Sequence, residues 1–313
     1  MTDAQAVRFS LIPGSTDPLR GDLMTAERLA DAARALAREQ RVTEDRTGRT
    51  TPLPAMIAAA DRALHLAYGQ LTADARGEVS VSVAAEWLLD NFYLIEEQVD
   101  AIQVDLPRDY GLELPRLTAG PLVGHPRVLE LAALVVSAAD GRLSADDLEG
   151  AIMAFQDSAP LTIGEVWAVP IMLRVCLVEN LSRLSTRVLA AHQASTSADA
   201  WANRILVAVH ASPGTLEGIV RDLGNDRDPV HPAFLIRLLQ RLRDQDPTVE
   251  PAVAWAHVQI TERGLSPEEL TLGEQQAQAA DQVSVANAIT SIRFLSALDW
   301  RRFFERCSIV EAV

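Results

Sequence analysis

The sequence predicts an all-α fold, a helical bundle or irregular stacked helix pairs, with eleven to twelve helices in one or two lobes. Three observations lead there. Apolar residues recur at three- and four-residue steps through most of the 313 residues. Alternating β-branched runs of useful length, the mark of strands, are missing. Hydroxyl and acidic residues open several of the apolar segments, where they can cap free backbone N–H groups.

The elements follow in order. Residues 1–20 read as an irregular lead-in, with Pro13-Gly14 and Asp17-Pro18 as turn signals. One helical lobe is expected over 21–194 and a second over 195–313. Leu23, Met24, Leu29, Ala32 and Leu36 share a face of a helix over 23–40. After a polar loop, 41–52, helices are expected over 54–71 and 81–104, the latter stopped by Leu106-Pro107. A proline-rich loop leads to a helix over 127–139, ended by Asp140-Gly141, and to another over 144–157. Thr162 and Glu165 have the spacing of a capping box and start a long apolar helix to about Ala191, with Pro170 as a kink or break. Ser195–Asp199 reads as the junction between the lobes. Helices near 200–210, 213–222, 231–243, 248–263, 267–289 and 299–311 complete the chain. Ser266, Pro267 and Glu269 make the strongest helix start among them. No fixed repeat period emerges.

Composition removes several function classes. Hydrophobic residues make up 48%, which suits a packed core and excludes a disordered chain. A net charge of −15 without a dense basic block argues against nucleic acid and against docking on an anionic membrane. All 28 basic residues are arginine, so Schiff-base lysine chemistry and a complete Walker A loop are excluded. Two cysteines, Cys176 and Cys307, are too few for a disulfide scaffold. The six histidines are scattered, with no HxxxH pair, and no metal or cofactor is expected in this segment. The polar opening Met1–Gln5 is unlike a signal peptide. No stretch reaches the roughly 20 apolar residues of a membrane span, so the segment is expected to be soluble.

The helix over 81–104 concentrates aromatic, amide and acidic side chains. Glu86, Asp90 and Glu97 line one polar side, beside Trp87, Asn91 and Tyr93. A sugar-contacting or acid/base carboxylate pair is one reading. Glycoside cleavage needs two carboxylates across the scissile bond, whereas Glu86 and Asp90 stand one turn apart on the same wall. A solvated or inter-helix face is the reading that geometry favours. Glu165, Trp167, Arg174, Glu179 and Asn180 ride on the long apolar helix, and Arg174 is expected to pair with a carboxylate, on the helix over 81–104 or elsewhere. Ser291 and Ser296 lack a GxSxG or SxxK setting, and the segment 284–300 reads as a small-residue face for close helix approach. Trp300 begins a short aromatic and basic end, Arg301–Arg306, suited to a domain contact or to core packing.

Three blocks together resemble one family. They are Ala85–Gln98 with Asp105, Leu106 and Pro107; Pro160–Pro170 continuing to Leu177–Leu181; and Asp281–Arg293 with Ser296–Trp300 and Phe303–Glu305. In this order, over roughly 85–305, they resemble the N-terminal region of bacterial cyclic β-1,2-glucan synthases. The resemblance implies a long inner-membrane parent that polymerises glucose from UDP-glucose and cyclises the glucan, with a phosphorylase-like module. It implies that this segment is a non-catalytic domain on the cytoplasmic side. Its partners would be the catalytic and membrane modules of the same chain, with β-1,2-glucan as a further one. Glu86, Trp87, Asp90, Asn91, Tyr93, Glu97, Glu165, Trp167, Arg174, Asn180 and Trp300 are the candidate contacts, for glucan or for another domain. No catalytic residue is carried over. A free-standing interaction module and a self-sufficient helical carbohydrate enzyme are the alternatives.

Overall fold

Helices dominate the computed structural model, which describes residues 11, 14–44, 53–77, 79–106, 113–211, 216–225 and 230–307. Twelve α-helices occur among the described residues: α1 (Ala26–Glu39), α2 (Leu53–Arg76), α3 (Val83–Asp90), α4 (Phe92–Asp105), α5 (Arg127–Ala138), α6 (Ala145–Gln156), α7 (Ile163–Ala211), α8 (Leu216–Asn225), α9 (Pro232–Leu242), α10 (Glu250–Thr261), α11 (Pro267–Ala297) and α12 (Trp300–Cys307). The all-α expectation holds. The described strands, β1 (Val42–Thr43) and β2 (Arg116–Leu117), form a two-residue antiparallel pair.

Local chemistry accounts for the helix starts. The hydroxyls of Thr25, Ser82 and Ser144 each accept the N–H three residues on, at 3.4, 3.3 and 3.2 Å. Ser266 and Glu269 form a complete capping box. At α7 the predicted box is present too: Thr162 Oγ1 accepts from Glu165 N at 3.2 Å, and Glu165 Oε2 accepts from Thr162 N at 2.9 Å.

The larger departures from the expected boundaries are three. The helix expected over 81–104 is two helices, parted at Asn91, whose φ of −115° and ψ of 11° leave the helical range. The long helix does not stop near Ala191. It runs unbroken to Ala211, absorbs the separate helix expected over 200–210, and contains Pro170 without ending there. Ser195–Asp199 is polar but holds neither Gly nor Pro. Ser195 and Thr196 donate to the carbonyls of Ala191 and His192, both at 3.0 Å, which keeps the polar groups satisfied along the helix. Finally, α11 extends to Ala297, beyond the expected end near 289. The polar loop 45–52, Pro107 and the end of the last expected helix lie outside the described residues.

Buried apolar side chains fall into two clusters. The first draws on α1 to α6, on α7 as far as Leu189, and on α11 and α12 from Val285 to Cys307. The second joins α7 from Ala198 onward to α8, α9 and α10 and to Leu270 at the start of α11. Two long helices therefore cross from one cluster to the other. Between Leu189 and Ala198, and between Leu270 and Val285, neither crossing contributes a buried apolar residue. A polar network ties α11 to the first cluster. Asp281 accepts from Arg20 at 2.8 Å and from Arg187 at 3.3 Å. Ser284 accepts from Arg20 Nε at 2.8 Å and donates to Asp140 at 2.5 Å. Gly141, at φ +76°, brings the α5–α6 turn so close to α11 that a Cβ there would lie 3.5 Å from Ala288 N. The small residues of 284–300 do serve close approach.

Candidate functional site

The aromatic and acidic residues of the third expected helix divide at its break. Glu86, Asp90 and Glu97 are exposed, and so are Trp87 and Tyr93, the tyrosine more than the tryptophan. Asn91 turns inward. Its Nδ2 donates to Trp87 O at 2.8 Å, and its Oδ1 accepts from Arg293 Nη2 of α11 at 2.6 Å. Phe92 is buried, stacked on Tyr68 with ring centroids 4.0 Å apart and meeting the edge of His65 at 5.3 Å.

Glu165 is fully buried and committed. Arg127 Nε and Nη2 donate to its two carboxylate oxygens at 2.6 and 2.9 Å, and Thr162 N adds a third bond. Arg127 also donates to Pro160 O at 2.8 Å and lies over the Phe155 ring. Arg174 pairs with Asp105 at the end of α4 at 3.3 Å, a partner on the expected segment. Asn180 is buried, and its Oδ1 accepts from Leu19 N at 2.7 Å, pinning the lead-in to α7. Trp167 and Trp300 converge on Phe304, at 4.7 and 5.7 Å between centroids, and Trp300 Nε1 donates to Leu295 O at 3.0 Å. Phe303 and Phe304 are buried, so the aromatic part of the last helix packs on the core.

No motif in the sequence announces a cleft of about 820 Å³ between the two apolar clusters. Its walls are the segment 79–84, the polar crossing of α7, α9, and the polar crossing of α11. The charges there are largely cross-braced. Asp199 takes a two-point bond from Arg237 at 2.9 and 3.1 Å and lies 3.3 Å from Arg241. His192 contacts Asp74 at 2.8 Å. His231 Nδ1 accepts from Ala233 N at 3.1 Å and caps α9. Burial lowers the pKa of His231, nearby Arg187 and Arg263 add to this, and Glu274 opposes it. The signal in the sequence was the run Thr271–Ser284, where α11 continues without an apolar stripe.

A smaller cavity of about 370 Å³ has His125 in its lining. The His125 Nδ1–H donates to Leu122 O at 3.2 Å, its Nε2 has no hydrogen-bond partner among the described residues, and burial lowers its pKa. Nearby, Glu179 and Arg183 form a pair at 2.9 Å. Among the described residues no group of three His, Cys, Asp or Glu is placed to hold a metal ion, and no helix is long and apolar enough to cross a membrane.

The chain matches no family model. It is similar to the cyclic β-(1,2)-glucan synthase NdvB of Rhizobium meliloti (strain 1021), with 31% identity over 245 residues. That alignment covers 78% of this chain and 8% of the relative, so the chain spans less than a tenth of that protein's length. The likeness expected from the three blocks is borne out.

Proposed function

We propose that the chain is the N-terminal helical domain of a cyclic β-1,2-glucan synthase and acts there as a scaffold rather than as a catalyst. The observation that carries this reading is the 31% identity over 78% of the chain to a protein of that name. The fate of the acidic side chains supports the non-catalytic part. Glu165 is locked by Arg127, Glu179 by Arg183 and Asp105 by Arg174. Glu86 and Asp90 share one exposed wall. General acid–base work on a glycosidic bond needs two carboxyl groups across a substrate, and Glu165, Glu179 and Asp105 are each engaged by an arginine instead. The partners in this reading are the catalytic and membrane-embedded modules of the parent, on the cytoplasmic side of the bacterial inner membrane.

The test is to replace this segment by a flexible linker in a full-length synthase. UDP-glucose turnover per assembled molecule and the yield of assembled enzyme are then read separately. The scaffold reading expects the yield to fall and turnover per assembled molecule to persist. Loss of turnover in fully assembled enzyme would overturn it.

A further inference from the structure

We propose that the cleft between the two apolar clusters holds an uncharged, hydroxyl-rich chain, namely a short stretch of linear glucan. The position comes first. Two long helices, α7 and α11, bridge the clusters over residues 190–197 and 271–284 without a buried apolar side chain. The space they leave, about 820 Å³, lies within the roughly 300–1,000 Å³ of small-ligand sites, which favour boundaries between packed units.

Charge then narrows the occupant. Among the described lining residues, Arg187 and Arg237 face Asp199, Glu274 and Asp281. Both arginines are already bonded to carboxylates, Arg187 to Asp281 and Arg237 to Asp199. An anion such as a phosphate would have to break those pairs and meet Glu274. A divalent cation finds no three-ligand group among the described residues. A neutral ligand disturbs neither pair.

The free hydrogen-bonding groups match hydroxyls. Ser195, Thr196 and Thr271 each donate to a carbonyl of their own helix, at 3.0, 3.0 and 2.7 Å, so their oxygens offer lone pairs to the cleft. His231 accepts at Nδ1, so its neutral ring carries a proton on Nε2 as a donor. Gln275 and Gln282 add amides, which both donate and accept. Groups that donate and accept by turns suit such a lining, and a run of hydroxyls supplies them. Val81, Val188 and Ile236 lie in the same lining and offer apolar surface to sugar C–H faces. The preference for uncharged hydroxyls rests on the lining alone, while the β-1,2 linkage rests on the proposed parent.

The test is calorimetric titration of the full 313-residue chain with three probes: linear β-1,2-gluco-oligosaccharides, β-1,3-gluco-oligosaccharides of equal length, and UDP-glucose. Histidine ring resonances are followed in parallel. The β-1,2 chains are expected to bind and to shift the ring signals of His192 and His231, but not those of His65 and His257. Thr196→Trp, which fills the cleft from an exposed helix position, should weaken binding by about tenfold or more, with an unchanged circular-dichroism spectrum. Asp146→Asn, exposed on α6 and outside the lining, should leave it unchanged. Equal binding of both oligosaccharides supports the cleft's chemistry and counts against the β-1,2 linkage. Absence of binding by either chain, binding indifferent to Thr196→Trp, or tighter binding of UDP-glucose overturns the proposal. The linker replacement described above tests the parent reading separately.

Discussion

Replacing Glu165 by glutamine removes the carboxylate that neutralises Arg127 while nearly preserving shape. The Glu165 side chain is 0% exposed and that of Arg127 is 10% exposed. The native carboxylate accepts from Arg127 Nε, Arg127 Nη2 and Thr162 N at 2.6, 2.9 and 2.9 Å. In Glu165→Gln the guanidinium stays buried without a counter-charge, keeping Pro160 O as an uncharged acceptor. Leaving one partner of a buried pair uncompensated costs about 3–5 kcal/mol. The amide oxygen still accepts one bond, so the expected loss lies near 3 kcal/mol, toward the lower end of that range. The double substitution Arg127→Leu with Glu165→Leu removes both charges and should recover to within about 1–2 kcal/mol of wild type, because a buried pair contributes little beyond an apolar replacement. Urea unfolding followed by circular dichroism reads both values from the midpoint and slope. A loss below about 1 kcal/mol for Glu165→Gln, or a double variant less stable than the single one, would refute the reasoning.

Three further outcomes are expected. Ser291→Ala should cost about 1–3 kcal/mol in the same unfolding assay, because the buried Ser291 hydroxyl accepts from Leu143 N at 2.8 Å and donates to Gly141 O at 2.6 Å. Stability should decline on both sides of neutrality. The hydrogen bond to the Asp61 carbonyl, with the Asp61 and Glu96 carboxylates, raises the His65 pKa, so its contribution is complete below about 6.5 and is lost as pH rises through the folded value. Burial lowers the pKa of His125 and His231, so their neutral rings favour the fold above about 6.5, and that stability is lost as pH falls through their folded values. Urea midpoints across this range should show His65→Asn weakening the alkaline decline and leaving the acid one. Burial pushes the Cys307 thiol up to about 12 and raises that of Cys176 as well, so a thiolate-selective reagent should label both only as fast as the protein opens. Rapid labelling of Cys307 in the native state would contradict its burial.

The legible parts of this fold are those whose chemistry is local. The box Thr162–Glu165 and the helix start at Ser266 both form as read, and at Ser266 the Glu269 carboxylate closes a full box within the same turn. The Arg174 partner was also within reach, because a charge on an apolar helix needs one, and Asp105 supplies it. The break at Asn91 was hidden. Its i+3 and i+4 neighbours continue an amphipathic pattern, and the inward turn of its amide is met by Arg293, 202 residues away in the chain. Ser195–Asp199 looked like a junction because small polar residues fill linkers. Without Gly or Pro the backbone has no reason to leave the helix, and Asp199 is held by Arg237 of α9. The cleft could not be read because it belongs to no element. Four segments compose it, and two of them matter through the apolar residues they lack.

A scaffold domain of this kind carries no glycosyl chemistry of its own. The most direct measurement incubates the purified chain with UDP-glucose, and separately with linear β-1,2-glucan with and without inorganic phosphate, and follows UDP, free sugar and sugar phosphate. No product above the protein-free blank is expected. Steady turnover that disappears in Glu86→Gln or Asp90→Asn, with the fold intact, would contradict it.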